Sequence, residues 1–338
     1  MPQLPEPRGA TSEALLGALA RPLHALASVP LPEPPDVLAD EDLQLALYCC
    51  YELHYRGFDG VDERWEWAPS LLACRAALEA RFEAALHAAV GPVGEAPEPA
   101  AMDLALRAIA DADDGPSLSR HLEREGTMEE VLEFLVHRSA YQLKEADPHA
   151  WAIPRLEGPP KAALVEIQAD EYGGGRYARM HARLFADAMD ALGLDATYGA
   201  YLDHVPGVTL ATVNLMSLCG LHRRLRGAIT GHLALFEMTS SIPNRRYASG
   251  LRRLGIDDPR ALAFFDEHVE ADAVHENVAA VDLAGGLARL EPGLARDVLW
   301  GARALVELEA RWARHLLERW AARRSSLRLP LAASAAPA

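Results

Sequence analysis

Residues 261–284 read ALAFFDEHVEADAVHENVAAVDLA, and this stretch decides how the rest of the chain is interpreted. On a helix with about 100° between consecutive residues, His268, Asp272 and His275 fall within an arc of about 60°. The same side carries mostly apolar residues, namely Ala261, Phe264, Phe265 and Ala279. The opposite side carries Asp266, Glu270, Ala273 and Asn277. The pattern therefore predicts a helix with three ionisable side chains on its buried face.

Ionisable groups on a buried face need partners, because their burial without compensation is costly. A divalent metal ion can satisfy two imidazoles and a carboxylate together. Hydrogen bonds among these side chains within a core are the alternative. We interpret His268, Asp272 and His275 as metal ligands.

The segment 158–192 contributes two further candidate ligands, Glu171 and His181, each on the apolar side of its own helical pattern. On one continuous helix these residues would lie about 15 Å apart along the axis. The run Gly173-Gly174-Gly175 separates them, and we expect it to break the helix so that both side chains reach one centre. An ordinary glycine linker is the alternative. Glu166 and Asp170 fall away from the apolar side and are predicted to be surface charges.

Two more carboxylates extend the candidate set. Glu237 lies in the apolar helical pattern AITGHLALFEMTSS, and carboxylates are rarely buried there unless they are paired. Glu145 shares a helix side with Phe134, Arg138 and Tyr141, and an ion pair with Arg138 is its alternative role. Mixed histidine and carboxylate ligation suits iron or manganese better than structural zinc. Carboxylates can also bridge two ions about 3.5–4 Å apart.

The composition favours an all-α protein. Ala, Leu, Arg and Glu dominate the 338 residues, half of which are hydrophobic, and no alternating pattern predicts a strand. Proline-rich stretches at 30–35 and 92–99 divide the chain. We predict an N-terminal helical extension at 1–98, a helical bundle at 99–325 and a disordered tail at 326–338.

Charge and cysteine content narrow the functional classes. The formal net charge of −16 argues against binding to nucleic acid or to an anionic membrane surface. The four cysteines form no CxxC pair, and the sequence shows neither a secretory signal pattern nor a long apolar run. We therefore expect a cytoplasmic protein that acts on a small-molecule substrate. An external electron donor and a homodimer are left open.

These ligand motifs resemble the haem-oxygenase-like diiron oxidases and oxygenases, also called the iron-containing redox enzyme family. The resemblance rests on the His-x3-Asp-x2-His helix at 268–275, the Glu-x9-His pair at 171–181 and Glu237, about thirty residues before the triplet. It covers roughly residues 125–325, and the N-terminal third adds little to it. A ferritin-like bundle fits less well, because it needs Glu-x-x-His pairs that the sequence lacks.

The resemblance implies a seven-helix, haem-oxygenase-like bundle that holds two iron ions, cycling between Fe(II) and Fe(III), in place of haem. It implies O2 as co-substrate and metal ligation by Glu171, His181, Glu237, His268, Asp272 and His275. Glu145 matches an extra carboxylate of some members. The activities implied are N-oxygenation, desaturation or C–C cleavage of an amine, an amino acid or a fatty-acid-like substrate.

Two other functions stay open at the level of sequence. One is a metal-free, thiaminase-like hydrolase on the same fold with Cys219 as nucleophile. The other is a non-catalytic helical interaction protein, in which the ionisable residues form hydrogen bonds in the core. For substrate binding, Arg245 and Arg246 could clamp a carboxylate, although a solvated basic turn is the favoured explanation for them.

Overall fold

The computed structural model describes residues 1–31 and 33–331, except for the side chains of residues 270–274. None of the described residues lies in a β-strand, so the all-α prediction is confirmed. The α-helices are α1 Ala10–Leu19, α2 Glu41–Glu52, α3 Pro69–Val90, α4 Met102–Asp111, α5 Leu118–Arg124, α6 Met128–Gln142, α7 Asp147–Ala150, α8 Gly158–Glu171, α9 His181–Ala191, α10 Gly207–Leu221, α11 Arg226–Arg253, α12 Pro259–Asn277, α13 Gly285–Leu290 and α14 Ala295–Ala321.

Local sequence signals explain where several of these helices begin. Thr127 and Glu130 form a capping box at the start of α6. The Asp258 side chain accepts a hydrogen bond from the Arg260 backbone N–H at the start of α12, and Pro259 occupies its first position. These caps fix where α6, which leads to Glu145, and α12, which carries His268 and His275, begin.

The long helices α11 and α14 pack tightly against each other. A Cβ on Gly231 would lie 1.8 Å from the carbonyl oxygen of Val298, and one on Gly301 would lie 1.9 Å from that of Ala228. Larger side chains at either position would therefore force the backbones apart. α11 also packs along α12, so it holds the helix of His268 and His275 in place from one side.

Two segments differ from the predicted helix boundaries. α11 continues past Pro243 to Arg253, whereas the sequence predicts an end near residue 241. Pro243 removes one backbone hydrogen bond, but packing of this part of α11 against α5 and α12 sustains the helix. After α12 the chain continues into a π-helix, Val278–Ala284, and not into a regular α-helix. π-Helical turns are frequent beside functional sites.

The ends of the chain are joined to the bundle. α2 packs against α10, and its residues Leu45 and Leu47 belong to the same apolar core as Leu215 and Leu218 of α10. The first residues of the tail, which the sequence predicts to be disordered, are ordered in the structure: Ser326 and Leu327 are buried. Ser326 donates a hydrogen bond of 2.6 Å to the Glu133 carboxylate. Residues 332–338 lie outside the described residues. None of the described helices is long and apolar enough to cross a membrane.

Candidate metal centre

The helix α12 buries two of its three predicted ligands. His268 and His275 are two turns apart, and their exposed fractions are 4% and 1%. Phe264 and Phe265 are buried on the same side, as the helical phasing predicts. Asp272 lies between the two histidines in α12, but its side chain falls outside the described residues.

One set of potential ligands, which we call the first group, consists of Glu145, His181 and His268. Ligand atoms of these three buried side chains lie within 4.8 Å of one another. His268 Nδ1 donates a hydrogen bond of 2.7 Å to the carbonyl oxygen of Phe264, so the lone pair of this ring is on Nε2. That nitrogen lies 3.6 Å from Glu145 Oε1 and is oriented as a metal ligand would be.

The second group consists of Glu171, Glu237 and His275, again with ligand atoms within 4.8 Å of one another. His275 Nε2 donates a hydrogen bond of 3.0 Å to Asp170 Oδ2. Its Nδ1 atom lies 3.5 Å from Glu237 Oε2. A carboxylate that fixes the outer nitrogen of a histidine while the inner nitrogen faces other ligands is typical of metal sites.

Glu171 connects the two groups. Its Oε2 atom lies 3.1 Å from His181 Nδ1, although Glu171 belongs to the second group and His181 to the first. Burial raises the pKa of Glu171, but the nearby His181, His268 and His275 outweigh this effect and hold the pKa below its ordinary value. A carboxylate surrounded by the histidines of both groups is placed to bridge two cations.

The glycine run brings Glu171 and His181 together. α8 ends at Glu171 and α9 begins at His181, with short 3-10 turns between them. Gly173, Gly174 and Gly175 have φ angles of 66°, 60° and 76°, a region that favours glycine. The expected break of the helix is therefore observed, and a continuous helix with the two residues far apart is excluded.

Glu145 is held differently from the sequence prediction. α6 ends at Gln142, so Glu145 lies on a turn beyond the helix. The alternative ion pair with Arg138 is not formed, because Arg138 makes two hydrogen bonds, of 2.9 and 2.7 Å, to Glu309. The turn instead directs Glu145 toward His268.

The donor set fits a divalent metal such as iron. Among the described residues, three buried ligand atoms make no hydrogen bond of regular geometry, namely Glu145 Oε2, His181 Nδ1 and His275 Nδ1, although the two histidine atoms lie 3.1 Å from Glu171 and 3.5 Å from Glu237. Three carboxylates share this buried region with three imidazoles. Burial of so much negative charge is costly unless cations compensate it. Cations bound between the groups would satisfy both these ligand atoms and the charge.

Without a metal, protons would compensate part of this charge. Burial lowers the pKa of His275, but Glu237 and Asp170 outweigh it and raise the pKa to about 9. Burial also opposes protonation of His181, whose pKa is nevertheless raised by Glu171. A metal ion would have to displace these protons from the ligand nitrogens.

A small cavity adjoins both groups. Glu145 and His268 of the first group line it, together with Glu171 and Glu237 of the second. The other walls are mixed in character, with contributions from Tyr141, His149, Leu233, Phe236 and Ser240.

Sequence reasoning missed two residues beside this centre. Asp170, predicted to be a surface charge, is 62% exposed at its side chain but still hydrogen-bonds His275. His149 lines the cavity and hydrogen-bonds His232 over 3.2 Å. Burial lowers the pKa of His149 to about 4, so the ring is neutral near pH 7. Only the adjacency of Asp170 to Glu171 in the sequence could have pointed to its role.

The predicted substrate-binding arginines lie elsewhere. Arg245 and Arg246 belong to α11, about two turns beyond Glu237, and not to a turn. Arg246 lies 3.3 Å from the Ser119 hydroxyl and 3.9 Å from Glu123. Neither arginine is among the residues that line the cavity.

The cysteine alternative is poorly supported by the structure. Cys219 lies in α10 and is 0% exposed. Burial raises the pKa of its thiol far above the ordinary value, so it holds almost no thiolate near pH 7. A buried, protonated thiol is a poor nucleophile.

The comparison with protein families agrees with the centre. The family model described as iron-containing redox enzyme matches residues 132–310, a little over half of the chain. All six residues of the two groups lie inside this range. No curated protein matches the chain.

Proposed function

Because this chain belongs to the iron-containing redox enzyme family, we propose that it is a non-haem diiron oxidoreductase with O2 as co-substrate. Membership confirms the resemblance predicted from the ligand motifs and supports an oxidoreductase. The observation that carries the diiron proposal is the pair of three-residue groups, linked through Glu171 and His181 at 3.1 Å. One group alone would be explained by a single ion.

Each residue of the centre has a defined part in this proposal. Glu145, His181 and His268 would hold one iron, and Glu171, Glu237 and His275 would hold the other. Asp272 is predicted from the sequence to be a further ligand. The iron pair would supply the electrons that reduce O2, which amino-acid side chains do not provide. Phe264 and Asp170 fix the ring orientations of His268 and His275 through hydrogen bonds.

The cavity supports a small substrate. Leu233 and Phe236 offer apolar surface, and Tyr141, His149 and Ser240 offer polar groups beside the ligand carboxylates. We propose an amine, an amino acid or a fatty-acid-like molecule as the substrate. We propose that such a substrate undergoes N-oxygenation, desaturation or C–C cleavage.

Oxygen consumption tests this function. Protein loaded with Fe(II) without air should consume O2 faster when one substrate of a panel of amines, amino acids and fatty acids is added. His268→Ala and His275→Ala should abolish the stimulation, because each removes a ligand. His87→Ala, at a largely exposed histidine of α3, is the matched control and should keep it. Stimulation that persists without iron, or in both ligand variants, would contradict the proposal.

A further inference from the structure

We propose that helix α2 of the N-terminal region positions Glu145, and that one of the two iron sites depends on this contact. The inference rests on the diiron function proposed above. It concerns the turn 143–146, which carries Glu145 and which we call the ligand turn. The family match begins at residue 132, so α2 lies outside the matched range.

The ligand turn has a backbone conformation that its sequence does not favour. Ala146 has a φ angle of 72° although it is not a glycine, and it is 2% exposed. L-residues rarely adopt this conformation unless the surrounding structure imposes it. Contacts from other elements are therefore needed to keep Glu145 directed at His268.

A buried ion pair supplies the strongest of these contacts. Lys144 Nζ lies 2.8 Å from Glu52 Oε2, the last residue of α2, and the two side chains are 1% and 0% exposed. The Tyr198 hydroxyl donates a second hydrogen bond, of 2.7 Å, to the same oxygen. Lys144 Nζ also lies 4.3 Å from the centre of the Tyr55 ring. Lys144 immediately precedes Glu145, so its position limits where Glu145 can lie.

Two backbone oxygens of the ligand turn are held as well. Arg56, just beyond α2, donates a hydrogen bond of 3.1 Å to the carbonyl oxygen of Leu143. Gln168 of α8 donates one of 3.0 Å to that of Ala146. Glu145 is thus flanked by fixed contacts on both sides in the sequence, and two of the three come from residues 52–56.

This arrangement assigns a task to the N-terminal region. When a residue that orients a metal ligand is substituted, metal affinity commonly falls by about 10–100-fold. Loss of the Glu52–Lys144 contact should therefore weaken the first group and spare the second, whose residues lie on α8, α11 and α12.

The test uses the full chain with Glu52→Gln and Lys144→Met combined. The double change removes both charges, so neither is left buried without its partner. An anaerobic Fe(II) titration should show one iron bound about 10–100-fold more weakly than in the wild type and the other unchanged. Helical circular dichroism should remain that of the wild type.

Glu133→Gln is the matched control. Glu133 is a buried carboxylate of α6 that accepts hydrogen bonds from Trp320 and Ser326, away from the ligand turn. It should lower the melting temperature while both irons bind as in the wild type. An equal loss of iron in the control would show general destabilisation and overturn the positioning role.

Arg56→Met provides a milder variant should the double variant not fold. Its side chain is 44% exposed, so the fold should tolerate the change, and one iron should again bind more weakly. If the wild-type protein binds two irons and both variants bind them with the same affinities, the positioning role of α2 is overturned and the diiron function is not. Wild-type protein with fewer than two irons would overturn the diiron function and this inference together.

Discussion

The two groups of the centre are built from different kinds of backbone. In the second group, Glu171, Glu237 and His275 all lie on helices: α11 packs against α12, and α8 packs against the π-helix that continues α12. In the first group, Glu145 lies on a strained turn, and His181 is the first residue of α9, reached through the glycine run and a 3-10 turn. Helix packing therefore suffices for the second group, whereas the first depends on irregular segments and on contacts from outside them. We expect the first group to lose its metal more readily.

The largest expected effect comes from the residue that the groups share. Glu171→Ala should impair both irons, because Glu171 belongs to the second group and lies 3.1 Å from His181 of the first. Glu145→Ala should impair one iron only. Iron content after anaerobic loading and desalting measures both variants. If Glu171→Ala retained one iron at wild-type affinity, Glu171 would not connect the groups.

The second largest effect is expected from a substitution in the glycine run, which should weaken iron binding by the first group. A Cβ on Gly173 would lie 2.6 Å from the Met180 backbone nitrogen, whereas one on Gly174 would meet open space. Both residues have positive φ angles, so Gly174→Ala should cost about 1–2 kcal/mol of stability from backbone strain alone. Gly173→Ala should cost more and displace His181. Thermal unfolding and iron titration compare the two variants, and equal results would refute the role of the close contact.

A smaller effect is expected at the edge of the second group. Asp170→Ala removes the hydrogen bond that orients His275 and should weaken one iron by about 10–100-fold. Glu166→Ala, at an exposed carboxylate on the same helix, is its control and should change little. The sequence predicts both residues to be surface charges. Similar iron affinities in the two variants would mean that Asp170 is only a surface charge.

The smallest effect is expected outside both groups. Arg246→Ala should change stability by no more than about 0.5 kcal/mol, because this arginine is partly exposed and makes only polar contacts with Ser119 and Glu123 near the surface. Iron binding and the KM for substrate should stay the same. A marked rise in KM would instead support the sequence-based prediction that Arg246 binds the substrate.

Helical periodicity accounts for the part of the centre that sequence could predict. Phasing a single helix was enough to place His268 and His275 on a buried face, and the glycine run indicated the break before His181. Periodicity describes one helix at a time, so it could not show that Asp170 reaches His275. Helical periodicity also predicted, wrongly, that α6 continues to Glu145. The helix ends earlier because the left-handed conformation of Ala146 is imposed by distant contacts, which the local sequence does not reveal.

The fold shows the same limit. In an isolated helix, a proline commonly marks the end. Pro243 nevertheless lies inside α11, because neighbouring helices stabilise the segment beyond it. The burial of Ser326 and Leu327 likewise depends on Glu133, nearly two hundred residues earlier. Sequence patterns therefore predicted the class of fold well, and tertiary contacts set the boundaries.

An anaerobic Fe(II) titration followed by Mössbauer spectroscopy tests the central claim most directly. The two groups and their shared Glu171 predict about two irons per chain, which should be magnetically coupled after oxidation because both groups lie next to Glu171. One iron at saturation, or two uncoupled irons, would contradict a diiron centre built from these residues.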